Sequence, residues 1–239
     1  MRDATSYAEA AIRLEAKNAY YYLLLAQIQV SQKQFAKAAA LYQKAFDLDK
    51  NSTLAMKLHG SLMASGKTAE AEAKVAQWLK EHPDDVGMRA YLAEGYMKQG
   101  QHKPAIAEYE RILKVAPDGV LALNNLAWLY QQQKDKRAIA LAEHAYKLQP
   151  DLPAVMDTLG WAHVELGDAQ RGLSLLRQAY AKQPDQGTIH YHFAAALFKV
   201  GERQRAQAEL ERLLALGGKF SEEQEARGLL SQIKNTGKR

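Results

Sequence analysis

The sequence has no cysteine, only six prolines and no long apolar run. The absence of cysteine excludes disulfide bridges, thiolate catalysis and cysteine-ligated zinc. The longest apolar stretches fall well short of the roughly 18 residues that a membrane-spanning helix needs. The N-terminus also lacks the charged, apolar and small-residue segments of a secretory signal. We therefore expect no membrane span in these residues.

Charge of one sign is not concentrated anywhere in the chain. The net charge is +5, and basic and acidic residues are interspersed along the whole length. No nucleic-acid partner is expected, because such partners favour a basic patch or stripe. What the chain has in quantity is apolar residues, at 47% of the total. This is enough to build a core and argues against disorder.

A small residue recurs every 33 or 34 positions in the middle of a helix-like pattern, and a second small residue follows each after 11 or 12 positions. The first set is Ala26, Gly60, Ala93, Ala127, Gly160 and Ala194; the second is Ala38, Ala71, Ala105, Ala138, Gly172 and Ala206. Two helices approach closely only where a side chain is small. Each unit is therefore expected to be a pair of antiparallel helices, A and B.

This pattern resembles the tetratricopeptide repeat (TPR). The family pattern has a bulky residue at position 4, Leu at 7, Gly or Ala at 8, Tyr at 11, Ala at 20, an aromatic residue near 24 and Pro at 32. Gly60 is assigned to position 8 of the second repeat, which puts His59, a departure from the pattern, at position 7. Repeats two and four are one residue short, and the turn between their helices is the expected place. The resemblance predicts an all-α fold, a right-handed TPR superhelix (α-solenoid) of antiparallel helix pairs.

The pattern divides the chain into a leading helix, six repeats and a closing helix. Residues 1–18 match only the second half of a repeat. They are expected to be helix B of a truncated repeat from a longer array, or alternatively an N-terminal cap. Residues 221–239 are expected to form a C-terminal capping helix and tail, with the helix starting near Phe220, Ser221 as its N-cap and Gln224 completing a capping box. The six repeats are 19–52, 53–85, 86–119, 120–152, 153–186 and 187–220.

No group of residues in the sequence indicates catalysis or a cofactor. His190 and His192 are two residues apart on a predicted helix, so they point in different directions and cannot share a metal ion. His163 stands at position 11, where a ring facing the core is expected. The chain has no phosphate-binding glycine loop and no nucleophile elbow. We expect a chain that is not an enzyme and that has no cofactor and no metal site.

Positions 2, 5, 9, 12 and 13 of each A helix lie on an arc separate from the core positions, and this arc is expected to line the concave groove of the superhelix. Trp128 and Trp161 both stand at position 9, and their indoles are expected to form one continuous platform; alternatively they only fill gaps between successive A helices. Asn125, at position 6, is expected to hydrogen-bond either the backbone of a bound ligand or a neighbouring helix. The candidate groove residues are Glu94, Lys98, Asn124, Asn125, Trp128, Asp157, Trp161, Glu165, Tyr191 and Lys199.

Aromatic rings beside amide, carboxylate and phenol groups suit an extended ligand, because the rings cover apolar surface while the polar groups fix orientation. The favoured hypothesis is a protein or peptide ligand in the concave groove of a non-catalytic scaffold. A polysaccharide ligand and a regulatory role within a larger enzyme are the alternatives. An RNA ligand would require a groove richer in Arg and Lys.

Residues 120–235 resemble a narrower group. The segments ALNNLAWLY (122–130), AEHAYKLQP (142–150), VMDTLGW (155–161) and RGLSLLRQA (171–179) are similar to the C-terminal part of the TPR lipoproteins of bacterial exosortase (PEP-CTERM) systems. The resemblance implies a bacterial cell-envelope protein on the periplasmic side, anchored by a lipid-modified N-terminal cysteine and acting with exopolysaccharide production and protein sorting. That cysteine is absent here, consistent with a truncated array. The resemblance implies no catalytic residues.

Overall fold

The computed structural model describes residues 2–217 and 219–236, and the regular secondary structure in this part of the chain is entirely helical. The helices are α1 (Arg2–Leu14), α2 (Ala19–Ser31), α3 (Phe35–Leu48), α4 (Ser52–Ala64), α5 (Thr68–Glu81), α6 (Val86–Lys98), α7 (His102–Val115), α8 (Val120–Gln132), α9 (Arg137–Leu148), α10 (Pro153–Leu166), α11 (Ala169–Lys182), α12 (Gly187–Lys199), α13 (Arg203–Ala215) and α14 (Glu223–Thr236). No strand occurs in the described residues, so the predicted all-α class is confirmed. None of these helices has the length and apolar character to cross a membrane.

Helices α2 to α13 alternate along the chain, with the even-numbered helices as helix A and the odd-numbered helices as helix B of the six repeats. Their contacts divide the chain into two compact units, Met1–Gly95 and Tyr96–Arg239. In the second unit, α9 packs on α8 and α10, α11 packs on α10 and α12, and α10 also contacts α8 and α12. Short turns between packed neighbours make the pairs antiparallel. The predicted α-solenoid of helix pairs is therefore confirmed within each unit.

Capping side chains and turn residues fix where the helices begin and end. Asn51 and Asp168 are N-caps whose side chains accept hydrogen bonds from backbone N–H groups three residues further on. Helix α10 begins at Pro153, whose fixed φ suits the first helical turn. The turns between helices A and B of repeats three and four each contain a left-handed residue, Gly100 (φ 69°) and Lys134 (φ 56°).

The small residues of the pattern lie at the contact between helices A and B. Ala127 and Ala138 have no exposed surface, and the same holds for the alanines at the equivalent places in the other repeats. In repeat five the contact is made by two glycines, and a Cβ atom on Gly172 would stand 2.5 Å from the carbonyl oxygen of Gly160. The spacing of small residues therefore places the closest approach of the helices correctly in these repeats.

The prediction for helix A of repeat two is wrong by one residue. Because α4 begins at Ser52, its eighth residue is His59 and not Gly60. Leu58 is then at position 7, where it is only 2% exposed, while Gly60 is half-buried. The imidazole of His59 occupies the place of the small residue, and its Nδ1 lies 2.9 Å from the hydroxyl of Tyr91. The sequence pattern assigned position 8 to Gly60 because Gly60 is smaller than the adjacent His59.

The corrected position of helix α4 means that repeat two is not shortened between its helices, whereas repeat four is. In repeat four, Ala138 follows the left-handed residue Lys134 by four positions, whereas Ala105 follows Gly100 by five. The missing residue therefore lies in the turn, as predicted. Asp135 secures this tight turn by accepting hydrogen bonds from the backbone and the guanidinium of Arg137.

The C-terminal helix starts later than predicted. Helix α14 begins at Glu223, with Ser221 in the preceding turn, so Ser221 is not its N-cap. The carbonyl of Glu222 accepts the first helical hydrogen bond, from the backbone of Ala226, and the Glu222 carboxylate accepts one from Thr188 Oγ1 at 2.8 Å. The bond to Thr188 ties α14 to helix α12. Residues 237–239, the end of the predicted tail, lie outside the described residues, as does Met1 at the start of the chain.

Candidate functional site

Eight of the ten candidate residues lie on α8, α10 and α12 of the second unit. Glu94 and Lys98, on α6, are exposed, and they fall on opposite sides of the division between the two units. The other eight stand on three successive A helices, of which α10 contacts both neighbours. We call the surface that carries these residues the A-helix face; its members are Asn124, Asn125, Trp128, Asp157, Trp161, Glu165, Tyr191 and Lys199.

A buried imidazole holds Trp161 in place. The indole stacks on the ring of His192, with centroids 4.4 Å apart and an interplanar angle of 10°. His192 Nδ1 in turn donates to the Asp157 carboxylate at 2.9 and 3.0 Å. Asp157 and His192 are 8% and 5% exposed. Asp157, which was predicted to line the groove, is therefore buried and paired, because helix α12 covers this position of α10.

Trp128 and Trp161 do not form the predicted continuous platform. The ring partner of Trp128 is His102 at the start of α7, with centroids 5.7 Å apart and an interplanar angle of 71°. Trp161 instead contacts His192 and Tyr191 on α12, and no ring contact joins the two indoles in the described residues. Both indoles are half-buried. Each therefore fills a gap beside its helix and also leaves part of its surface open.

Tyr191 lies next to Trp161, with ring centroids 6.2 Å apart. Burial, together with the negative charges of Glu225, Glu222 and Glu165, raises the pKa of Tyr191 to about 12. The hydroxyl therefore keeps its proton at neutral pH and can donate a hydrogen bond. These two half-buried rings are the main aromatic surface of the A-helix face.

The charged candidates of repeats five and six form a pair. Lys199 Nζ stands 3.7 Å from Glu165 Oε1, which joins α12 to α10 across the A-helix face. The pair is exposed to solvent on the lysine side. An exposed pair of this kind is worth only ~0.2–1 kcal/mol, so a charged ligand can displace it at little cost.

The two adjacent asparagines of repeat four differ in their contacts. Asn125 Nδ2 donates to the hydroxyl of Tyr109 on α7 at 2.8 Å, so of its two predicted roles the structure shows the bond to a neighbouring helix. Asn124 is half-buried, and its Oδ1 has no hydrogen-bond partner among the described residues. Leaving a buried amide oxygen unpaired costs ~1–3 kcal/mol. Asn124 Oδ1 is therefore an unsatisfied acceptor that is also shielded from solvent.

Sequence reasoning missed several residues that shape this face. The helical pattern indicates no role for His192 beyond excluding a metal site shared with His190, and it places Glu222 and Glu225 only at the start of the closing helix. The available signal was the register of neighbouring repeats: His192 follows Asp157 by 35 positions, one more than the repeat length. Position 6 of α12 therefore meets position 5 of α10.

Apart from His192, two histidines of the second unit are buried, and both belong to the core. His163 and His190 are 5% and 1% exposed, and burial lowers the pKa of both. The ring of His163 is buried at position 11, as predicted, and His190 Nε2 lies 2.9 Å from Glu209 Oε2. No cluster of three or more potential metal-ligating side chains occurs in the described residues.

Family comparisons identify the repeat. A tetratricopeptide-repeat model matches residues 88–218, more than half of the chain, and a second one matches residues 2–52. The chain belongs to the tetratricopeptide-repeat family. Its TPR fold is typical of non-catalytic scaffolds for protein–protein interaction. A sequence search of curated proteins gives no match.

Solved structures share this TPR fold at low sequence identity. A tetratricopeptide repeat protein from Parabacteroides merdae is 16% identical, with a TM-score of 0.71 over 91% of this chain and 86% of that chain. The APC/C hetero-tetramer Cut9–Hcn1 is 16% identical with a TM-score of 0.66, and the match covers 95% of this chain but 45% of that one. YrrB, described as a TPR protein with an unusual peptide-binding site, is 18% identical with a TM-score of 0.56, over 78% of this chain and 97% of that chain.

Proposed function

We propose that this TPR chain is a non-catalytic scaffold that binds an extended protein segment on the A-helix face of its second unit. The observation that carries the proposal is the row of half-buried aromatic side chains on successive A helices, Trp128 on α8, Trp161 on α10 and Tyr191 on α12. Aromatic residues of this kind dominate the binding energy of protein interfaces because each removes a large apolar surface from water.

The rigidity of the face supports this assignment. Trp161 is fixed by stacking on His192, which is itself held by the Asp157 carboxylate. A side chain that is already ordered loses little conformational entropy when a ligand binds, so more of the contact energy appears as affinity.

The polar group beside the two rings supports a peptide ligand in particular. The Tyr191 hydroxyl remains a donor at neutral pH because its pKa is about 12. An extended peptide offers backbone carbonyl groups to this hydroxyl. The TPR protein YrrB has a peptide-binding site according to its description, which fits the same use of the fold.

Selection from a random peptide library on the immobilised protein tests the proposal, because it requires no identified partner. The selected peptides are then measured by fluorescence anisotropy against the wild type and against Trp161→Ala and Trp128→Ala. Each substitution is expected to weaken binding by ~2 kcal/mol, about 30-fold.

The matched control is Tyr7→Ala on helix α1. Tyr7 is an aromatic residue with 76% of its surface exposed, and it lies outside the A-helix face. Its removal is expected to leave affinity unchanged. Circular dichroism must first show that all variants are folded. Equal affinity of folded Trp161→Ala and wild-type protein would contradict the proposed site.

A polysaccharide is the competing ligand, because aromatic rings beside an amide also suit sugar rings. A glycan array incubated with the same variants separates the two. Glycan binding that depends on Trp161, in the absence of peptide binding, would replace the peptide in this proposal.

The cellular setting is proposed from the resemblance of residues 120–235 alone: an assembly in a bacterial cell envelope, on its periplasmic side, linked to exopolysaccharide production and protein sorting. Fractionation of source cells with an antibody against this chain tests it. Recovery in the cytoplasmic fraction alone would contradict this setting and would leave the binding proposal intact.

A further inference from the structure

The A-helix face has an acidic end. Three carboxylates act electrostatically on Tyr191: Glu165 on α10, Glu222 just before α14 and Glu225 in its first turn. Contacts to α12 place two of them at this helix, because Glu222 accepts a hydrogen bond from Thr188 and Glu165 pairs with Lys199. Tyr191 also packs against the hydrophobic cluster that joins α12 to α14. These acidic side chains therefore lie near an ordered aromatic ring, in a chain whose net charge is +5.

The cations of the chain neutralise this end only in part. Lys199 pairs with Glu165 at 3.7 Å, whereas Glu222 accepts its hydrogen bond from the neutral hydroxyl of Thr188. Arg227, the nearest basic residue along α14, is paired with Glu223. No salt bridge involving Glu222 or Glu225 occurs in the described residues, so neither carboxylate is neutralised there by a direct ion pair.

The aromatic and acidic groups together suit one kind of side chain. A guanidinium or ammonium group is attracted to the face of a Trp or Tyr ring and gains further when a carboxylate stands nearby. The rings of Trp161 and Tyr191 lie 6.2 Å apart, close enough for one long basic side chain to contact both. A phosphate-bearing ligand would meet three carboxylates here and be repelled.

We propose that Trp161, Tyr191 and Glu165 of the A-helix face, together with the adjoining Glu222 and Glu225, bind a basic peptide segment through its arginine or lysine side chains. The inference rests on the proposed peptide-binding function and adds the charge of the partner. The cation of the ligand lies against the two rings and is paired by Glu225 and Glu222. Glu165 joins them when the ligand displaces Lys199.

The composition of the selected peptides tests this inference. Twelve-residue peptides from the random library are expected to be enriched in Arg and Lys relative to the unselected library. For a synthetic selected peptide, Glu225→Gln is expected to weaken binding about two- to five-fold, and high salt is expected to weaken it further.

Two further variants separate electrostatics from structure. Lys199→Gln removes the competing cation, so the same basic peptide is expected to bind about two- to five-fold more tightly. Glu143→Gln is the matched control, because Glu143 lies on helix α9 in an exposed pair with Arg171 outside the A-helix face. Affinity is expected to stay unchanged in that variant.

The possible failures are distinguishable. Selection of acidic or uncharged peptides whose binding still depends on Trp161 would overturn the basic-segment inference and keep the proposed function. A basic peptide whose affinity is the same in Glu225→Gln and Lys199→Gln as in the wild type would overturn the inference as well. Failure to select any peptide would overturn both.

Discussion

Gly160 and Gly172 bring helices α10 and α11 into backbone contact. A Cβ atom on Gly172 would lie 2.5 Å from the carbonyl oxygen of Gly160 and 2.6 Å from Val164 Cγ2. No real Cβ is accommodated at these distances unless a helix shifts. Repeat five is therefore the repeat in which the small residues are least replaceable, and it is also the repeat that carries Trp161.

Gly172→Ala is expected to destabilise the chain by ~1–3 kcal/mol, because the added methyl group overpacks the contact between α10 and α11. The measurement is the free energy of unfolding from urea titration. Gly95→Ala is the matched control, since a Cβ at this helical glycine meets nothing within 4 Å. That control is expected to stabilise the chain by ~0.5–1 kcal/mol through helix propensity. Equal effects of the two substitutions would contradict the packing argument.

The left-handed turn residues give a second prediction. Gly100 has φ 69° and open space around its missing Cβ, so Gly100→Ala is expected to cost ~1–2 kcal/mol through backbone conformation alone. Lys134 has φ 56° in the equivalent turn of repeat four, and Lys134→Gly is expected to relieve strain and gain up to ~1 kcal/mol. Thermal unfolding of both variants checks the opposite signs. A loss of stability in Lys134→Gly would show that the lysine side chain contributes more than its conformation costs.

The sequence predicted most of the fold because the packing rule of this family is local. A small residue in the middle of helix A and another in helix B mark their contact, and alanines such as Ala127 and Ala138 are fully buried there. The rule failed in repeat two because His59 fills the place of the small residue and is held by Tyr91, a contact with the next repeat. Helix periodicity within one repeat contains no information on that partner.

The binding face was predictable to a lesser degree for the same reason. The helical wheel brought Trp161 and Asp157 to one side of α10, but it could not show that His192 from α12 would cover Asp157 and stack on Trp161. The charges of Glu222 and Glu225 reached the face only through the packing of α14 against α12. Contacts between successive A helices decide which predicted groove residues stay accessible.

Acidification is expected to destabilise the chain in the pH range just below 6.5, the ordinary pKa of histidine. Burial lowers the pKa of His163 and of His190 below the ordinary value of 6.5. The unfolded chain therefore binds protons at these sites more readily than the folded chain, and stability is lost as pH falls through 6.5. Urea unfolding at several pH values measures the slope. An absence of any slope in this range would contradict the assignment.

His163→Leu is expected to reduce that slope and to be neutral or stabilising at pH 7. His163 Nε2 is buried without a hydrogen-bond partner in the described residues, so an apolar side chain of similar volume removes an unsatisfied group.

The Asp157–His192 pair provides the last prediction, a double-mutant cycle. Asp157→Ala leaves a buried imidazole without its acceptor, and His192→Leu leaves a buried carboxylate without its donor. Each is therefore expected to destabilise the chain by ~3–5 kcal/mol. The double variant removes both polar groups together and is expected to cost less than the sum of the two single changes, with a coupling of ~0.5–3 kcal/mol. Urea unfolding of the four proteins measures the coupling. Strict additivity would show that the two side chains act independently, and the fixed position of Trp161 could then not be attributed to their hydrogen bond.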